Sequence, residues 1–385
     1  MRIVCAESVT LGGTIFGELG EVVIVPDAEM CPAVLEGAEA LIVRSTVKVG
    51  PDLLEGTGIR FVGTATAGID HLDIPYLEGR DIVWSGAPGS NANGVAEYVV
   101  ASLLCLALRH GLVLSQLTLG IVGVGHVGSA VERMAKALGM RVLLNDPPRE
   151  LAGDRPDFVS LEAVLRGADI VTLHVPLNRD GPFRTRHLAA LRFFETIQPG
   201  AFLLNSCRGE VVDTDALLSA MEGGVVRGAV LDVWEPEPAF RLDALERVDI
   251  GTPHVAGYSH EGKLRGTLQL YDAACGFFGH EKTFNAQPHL VPEGGEAVKL
   301  DGRGLPEEDL LSRAVRAAYE IEEDDRRLRA AASPDEEVRM QNFRSLRKNY
   351  RERREFPATR LQTRHVDDDV LAKLVCLGFQ VEAAR

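Results

Sequence analysis

The stretch Leu119-Gly120-Ile121-Val122-Gly123-Val124-Gly125-His126-Val127-Gly128 decides how this chain folds. A short apolar strand runs into G-x-G-x-x-G, and a helical pattern follows from Ser129 to Leu138. The next strand pattern, Arg141–Asn145, ends at Asp146, 18 residues beyond Gly128. Glycine makes up 39 of 385 residues, so the motif gains weight from this context and not from its glycines alone. Strand, glycine turn, helix and a strand-end acid together form a dinucleotide-binding unit. Gly123 permits the tight turn, Gly125 lets backbone approach a pyrophosphate, and Gly128 lets helix and strand pack closely. The free N–H groups of the helix N-terminus suit phosphate. Asp146 suits ribose hydroxyls and repels a 2′-phosphate, which favours NAD over NADP.

Outward from this unit, short β-branched runs alternate with helical patterns. The first series of strands is Arg2–Cys5, Val22–Val25, Ala40–Val43, Arg60–Val62 and Ile82–Trp84. The second is Leu119–Gly123, Arg141–Asn145, Asp169–Leu173, Ala201–Leu204, Gly228–Leu231 and Asp249–Gly251. Continuously apolar strands separated by helices imply parallel sheets covered on both faces, hence two doubly wound α/β lobes. Helical patterns from Asn93 to Arg109 and from Glu261 to Phe278 would carry the chain across and back, forming a cleft.

The composition changes near residue 286. Residues 1–285 hold 34 of the 39 glycines, and charged side chains rise from 21% there to 38% in the last 100 residues. The stretch Pro288 to Pro306 reads as a linker, and charged helical sequence dominates beyond it. Lys+Arg number 41 against 56 Asp+Glu, a formal charge of −15. That excess opposes nucleic-acid binding and docking on an anionic membrane. The N-terminus lacks the pattern of a signal peptide, and the longest apolar run, Tyr98–Leu108, is too short for a span. No two of the six cysteines form C-x-x-C, so no zinc knuckle or redox pair is expected, and reduced thiols in a cytosol are.

Three segments place polar residues just after strand ends. They are Asn205-Ser206-Cys207-Arg208-Gly209, then Asp232-Val233-Trp234-Glu235-Pro236-Glu237-Pro238, then Thr252-Pro253-His254-Val255-Ala256-Gly257-Tyr258. Carboxyl ends of parallel strands line the ligand crevice, so an Arg, one or two acids and a His converge there. Hydride transfer from a hydroxy acid needs such a set. Arg grips a carboxylate bidentately, a His takes the hydroxyl proton, and an acid beside that His orients it.

These strings identify a resemblance. With Gly123–Gly128, Asp169-Ile170-Val171-Thr172-Leu173-His174-Val175-Pro176-Leu177, Gly200–Gly209, Leu231–Glu235 and Pro253–Gly257, residues 1–285 resemble the D-isomer-specific 2-hydroxyacid dehydrogenases. The resemblance implies a flavodoxin-like substrate lobe and a Rossmann NAD lobe, with domains 1–93, 94–255 and a return helix in 256–285. It implies Arg208 on the substrate carboxylate, Glu237 paired with His254, and His254 as proton acceptor. On the cofactor it places His126, Val127, Asp146, Val175, Ser206, Cys207, Asp232 at the nicotinamide amide, and Gly257. Val175 stands where the family often has Thr, and His126 where Asn, Arg or Lys is common; neither change touches the catalytic three.

Further strings are similar to one branch of the family that acts on a small phosphorylated 2-hydroxy acid. They include Val43-Arg44-Ser45, Gly63–Gly68, Asp146–Arg149, Ala256–Ser259, Leu346–Arg351 and Arg353–Phe356. That likeness implies an α+β C-terminal domain over 286–385 that makes a homodimer, and substrate contacts from Ser45, Thr66 and Tyr258. A basic island, Arg344 to Arg354, holds six cations against Glu352. It either pairs with the acidic run Glu320–Asp325 or supplies a phosphate site, with Arg347 and Lys348 joining Arg44 as candidates. A 3-phosphoglycerate dehydrogenase and an NAD-sensing binding protein on the same fold stand as alternatives.

Overall fold

The computed structural model describes residues 1–290 and 297–383. The chain forms two compact units, Met1–Asn91 with Tyr258–Gly294, and Ala92–Gly257 with Gly295–Arg385.

The first unit holds β1 (Arg2–Ala6), β2 (Glu21–Val25), β3 (Ala40–Val43), β4 (Phe61–Thr64) and β5 (Val83–Ser85) in a parallel sheet of order β2-β1-β3-β4-β5. This is the 2-1-3-4-5 order of a doubly wound sheet. Every residue of β3 and β4 is buried, as central parallel strands require. The helix His260–Phe278 begins at Ser259, whose hydroxyl accepts the Gly262 N–H, and ends at Gly279 with φ 73°. Its Leu264, Leu270, Tyr271 and Ala274 join the core of this sheet.

The second unit holds β6 (Thr118–Val122), β7 (Arg141–Asn145), β8 (Ile170–Leu173), β9 (Ala201–Asn205), β10 (Val226–Leu231) and β11 (Ile250–Gly251). They pair in parallel in the order β11-β10-β9-β8-β6-β7. A dinucleotide fold carries one more strand outside β7. Here that strand is reduced to a single parallel bridge, Leu144 to Phe158, which the sequence pattern did not reveal. The order reverses between β6 and β8, so the switch point lies directly above the glycine turn. The helix Ala92–His110 has the length and composition of a membrane span, yet 83% of its apolar window is buried inside the protein. It lies against the helices His126–Ala137 and Glu307–Ala318.

The C-terminal segment departs from the charged helical reading. It builds a third sheet from β12 (Val298–Asp301), β13 (Arg360–Arg364) and β14 (Gln380–Ala383), parallel and in sequential order, with helices as crossovers. β12 falls inside the stretch expected to be a linker, while residues 291–296 of that stretch lie outside the described residues. Glycine and proline masked the short alternation Val298-Lys299-Leu300-Asp301, in which Leu300 alone is buried. β13 hid for a related reason: arginines bound it, and only Leu361 and Thr363 point inward. The segment does not stand apart. Leu310, Leu311, Leu361 and Leu374 share one core with Ala96, Leu103 and Ile121 of the nucleotide-motif lobe.

Candidate active site

The glycine turn is built as its spacing demands. Gly123 has φ +88°, a region that favours glycine, and a Cβ there would meet the His174 carbonyl oxygen at 2.6 Å. A Cβ on Gly128 would lie 2.1 Å from the Gly123 carbonyl oxygen. At Gly125, by contrast, a Cβ would meet nothing within 4 Å. Two glycines are therefore fixed by packing, and the third leaves exposed backbone open at the N-terminus of the helix His126–Ala137. His126 is exposed and Val127 half-buried beside it. This geometry fits a dinucleotide pyrophosphate. The buried Ser206 hydroxyl, with no hydrogen-bond partner among the described residues, also fits a bound polar group.

Asp146 caps the next helix. One oxygen accepts the Arg149 N–H at 3.1 Å and the other the Val124 N–H at 2.8 Å. It thus pins the glycine turn to the end of β7, with carboxylate lone pairs left over to accept further hydrogen bonds. Val175 is half-buried and brings its methyl carbon within 2.8 Å of the Cβ position at Gly123, so it shapes the turn by packing. Cys207 hydrogen-bonds Asn205 through both its N–H and its thiol, each at 3.1 Å. Burial pushes that thiol up to about 11. It is a packing residue of the loop, not a nucleophile.

Asp232 follows β10 and is 1% exposed. One oxygen accepts the Thr252 hydroxyl at 2.6 Å and the Val255 N–H at 2.8 Å; the other accepts the Ala256 N–H at 2.9 Å. With its hydroxyl proton on Asp232, Thr252 accepts from the Tyr98 hydroxyl at 2.8 Å. Burial raises the Asp232 carboxyl above its ordinary value, against His254 and these donors. The expected contact of Asp232 with a nicotinamide amide thus meets a carboxylate turned onto the His254 loop. The sequence assigned neither Tyr98 nor Thr252 a site role, because that role exists only once a distant helix crosses the loop.

His254 has φ +58°, a strained backbone for a non-glycine residue, held by its N–H donating to the Asp232 carbonyl at 2.7 Å. Its Nδ1–H donates to Glu237 Oε1 at 2.7 Å. Burial opposes the charge on Glu237, but the positive charges of His254 and Arg347 and the His254 hydrogen bond outweigh it, leaving the carboxyl below its usual range. Arg208 stands at the end of β9 with Nη1 on the Cys207 carbonyl at 2.9 Å. The next residue must be glycine, since a Cβ on Gly209 would fall 1.8 Å from the Trp234 carbonyl oxygen. Gly257, half-buried, ends the His254 loop.

The remaining predicted residues fall in two places. In the first unit, Arg44 and Ser45 follow β3 and Thr66 follows β4. Arg44 donates to the Ala65 carbonyl at 3.2 Å, and Thr66 shares its hydroxyl with Thr64 at 2.8 Å. Thr64 also meets His71 Nε2 at 2.8 Å, and burial lowers that imidazole to about 4. Tyr258 lies under the Lys263 ammonium, 5.1 Å from its ring centre. In the second unit the basic island divides. Arg351 pairs with Asp324, and Arg353 is buried against Glu97 at 3.5 Å and over the Tyr319 ring. Arg344 and Lys348 are exposed. Arg347 reaches Glu237, with Nη1 3.5 Å from Oε1.

Known proteins match this arrangement. The NAD binding domain of the D-isomer specific 2-hydroxyacid dehydrogenases matches residues 107–256, and a domain of unknown function, DUF3410, matches residues 293–378. The erythronate-4-phosphate dehydrogenase of Cronobacter sakazakii is 46% identical over 380 residues, 98% of each chain. That of Edwardsiella ictaluri is 46% identical over 384 residues and 100% of each chain. Among solved structures, D-lactate dehydrogenase from Aquifex aeolicus, complexed with NAD and lactic acid, is 26% identical with a TM-score of 0.57. It covers 72% of this chain and 95% of its own, so more than a quarter of this chain has no counterpart there.

Proposed function

The chain belongs to the erythronate-4-phosphate dehydrogenases, within the D-isomer specific 2-hydroxyacid dehydrogenases, and we propose that it oxidises 4-phospho-D-erythronate at C2 with NAD. The product is (R)-3-hydroxy-2-oxo-4-phosphooxybutanoate, a step of pyridoxal 5′-phosphate biosynthesis. The observation that carries the reading is the His254–Glu237 pair at 2.7 Å, at the strand ends that also carry Arg208.

NAD supplies the hydride acceptor when bound. The residues to hold it are the backbone of Gly125, His126 and Val127, the ribose-facing Asp146, and Val175, Ser206, Cys207, Asp232 and Gly257. Arg208 grips the substrate carboxylate and polarises the 2-oxygen. With Nδ1–H committed to Glu237, His254 has Nε2 for the 2-hydroxyl proton, and Glu237 stabilises the imidazolium that forms. Asp232 keeps the His254 loop in its strained turn, so the base does not reorganise during transfer. Ser45, Thr66 and Tyr258 are assigned to the substrate. Arg44 is the first candidate for its phosphate, with Arg347 and Lys348 as the others.

The resemblance extends to a homodimer through residues 286–385, which equilibrium sedimentation checks. A cytosolic setting suits the chemistry of six free cysteines, among them Cys5 and Cys105, whose thiols burial pushes up to about 12.

The test follows NADH absorbance with 4-phospho-D-erythronate beside 3-phosphoglycerate. Turnover of the first well above the second is expected; preference for 3-phosphoglycerate, or NADH binding without turnover of either, overturns the assignment. His254→Asn is expected to lose about 10²–10⁴-fold in kcat while still binding NAD. Turnover near that of the wild type would remove His254 from the role of base.

A further inference from the structure

Glu237 carries a second partner, and the reaction as described does not use the contact between them. Oε1, the oxygen that faces His254 at 2.7 Å, also faces Arg347 Nη1 at 3.5 Å. Arg347 belongs to the last turn of the helix Glu336–Lys348, in the segment whose family has no assigned function. The helix is seated by apolar packing. Phe343 is fully buried, with its ring 5.7 Å from that of Phe240, and Phe240 ends the loop that bears Glu237. Arg347 lies one turn beyond Phe343, on the same helix face, so the packing that docks the helix also aims the guanidinium. Its neighbours in the basic island are directed elsewhere: Arg351 to Asp324 and Arg353 to Glu97.

We propose that Arg347 is a positioning residue for the proton transfer, steadying Glu237 and limiting how strongly its charge favours protonated His254. The inference rests on the reading of His254 and Glu237 as the working pair. An unopposed carboxylate beside an imidazole stabilises the imidazolium, and a base that is already protonated cannot accept the substrate's proton. A guanidinium on the same oxygen draws off part of that field. The site is partly screened from water, with Arg347 27% and Glu237 21% exposed, so the charge is felt across the pair. Among the described residues, His254 and Arg347 face Glu237, and Asp232 faces His254. Glu235, two residues before Glu237, is engaged by His187 at 2.6 Å.

The sign follows directly. Without Arg347, the Glu237 charge acts on the pair unopposed, so the acid limb of kcat/KM for oxidation moves up and the alkaline plateau changes little. The experiment measures that profile in the full-length enzyme for wild type, R347Q, R347K, E237Q and the double variant R347Q/E237Q. R347Q is expected to move the acid limb up by about half to one pH unit, a change of about three- to tenfold in kcat/KM on that limb. R347K, which restores the charge, is expected to return most of the displacement. In the E237Q background R347Q is expected to add none. R347M, an unbranched neutral side chain, replaces R347Q if the amide destabilises the helix, as judged by thermal melting.

An R347Q limb that stays in place overturns the inference, whatever happens to kcat. A raised KM for the phosphorylated substrate with an unmoved limb does the same, and assigns Arg347 to the phosphate instead. If E237Q also leaves the limb unmoved, the His254–Glu237 reading falls and this inference with it. A limb that moves in E237Q but not in R347Q rejects the role of Arg347 alone.

Discussion

Two regions of the chain advertise a ligand with equal emphasis, the loops at the strand ends of the second sheet and the basic island Arg344–Arg354. The structure treats them in opposite ways. The strand-end loops keep their polar groups together: Gly125 is open, Ser206 is buried without a hydrogen-bond partner among the described residues, and His254 and Glu237 meet at 2.7 Å. The island disperses its charges along one short segment. Arg353 goes to the interior, Arg351 to Asp324, Arg347 to Glu237, and Arg344 and Lys348 to solvent. A motif defined by spacing constrains backbone geometry, and its residues arrive together. A motif defined by composition constrains nothing about direction, because successive helical residues point to different sides.

The harshest way to break this contrast is Arg353→Leu. Arg353 is 3% exposed, donates to the Gly94 carbonyl at 2.7 Å and the Ala256 carbonyl at 3.0 Å, and lies 3.5 Å from the fully buried Glu97. Removing it takes away the cation that faces the buried Glu97, whose Oε1 keeps only neutral donors, the Asn93 amide and the Phe356 N–H, among the contacts described. A loss of about 3–5 kcal/mol in urea unfolding is expected, as for one partner taken from a buried pair. A loss under about 1 kcal/mol would mean that the island's most buried cation is not structural.

A paired substitution sharpens the other side. Gly128→Ala forces a methyl to within 2.1 Å of the Gly123 carbonyl oxygen, and about 1–3 kcal/mol of stability is expected to go. Gly125→Ala adds its methyl to open space and is expected to leave the melting temperature unchanged while NAD binding weakens about tenfold, or about 1.4 kcal/mol. Calorimetry of NAD binding beside thermal melts separates the two. Equal effects on stability would mean that the turn is a packing device and not a phosphate cradle.

What was legible in the sequence follows the same division. The strands with unbroken apolar runs, β3, β6 and β9, were readable because both faces of a parallel sheet are buried. The meeting of His254 with Glu237 was readable because each follows a strand end. β13 was not, since a five-residue strand with arginine at both termini offers only Leu361 and Thr363 to the core. The docking of the helix Glu307–Ala318 on Ala92–His110 was equally hidden, as nothing local records a contact across some two hundred residues. The same holds for Tyr98 and Thr252 behind Asp232, and for Arg347 at Glu237.

The smallest expected effect is the most pointed test of the contrast. Arg344 and Lys348 are the two island cations that the structure leaves exposed on the helix Glu336–Lys348. If composition by itself made a phosphate site, they would be its accessible members, and replacing both by alanine would raise KM for the phosphorylated substrate. If direction decides, a pair of solvated cations contributes little to either fold or site. The double variant is then expected to stay within about 0.5 kcal/mol of the wild type in stability, with KM unchanged and the acid limb of kcat/KM where Arg347 holds it. A severalfold rise in KM at constant stability would return Lys348 to the substrate and show that the island acts as one electrostatic body. An unchanged KM leaves Arg347, four residues from Phe343, as the island cation that the packing of one aromatic ring turns toward Glu237.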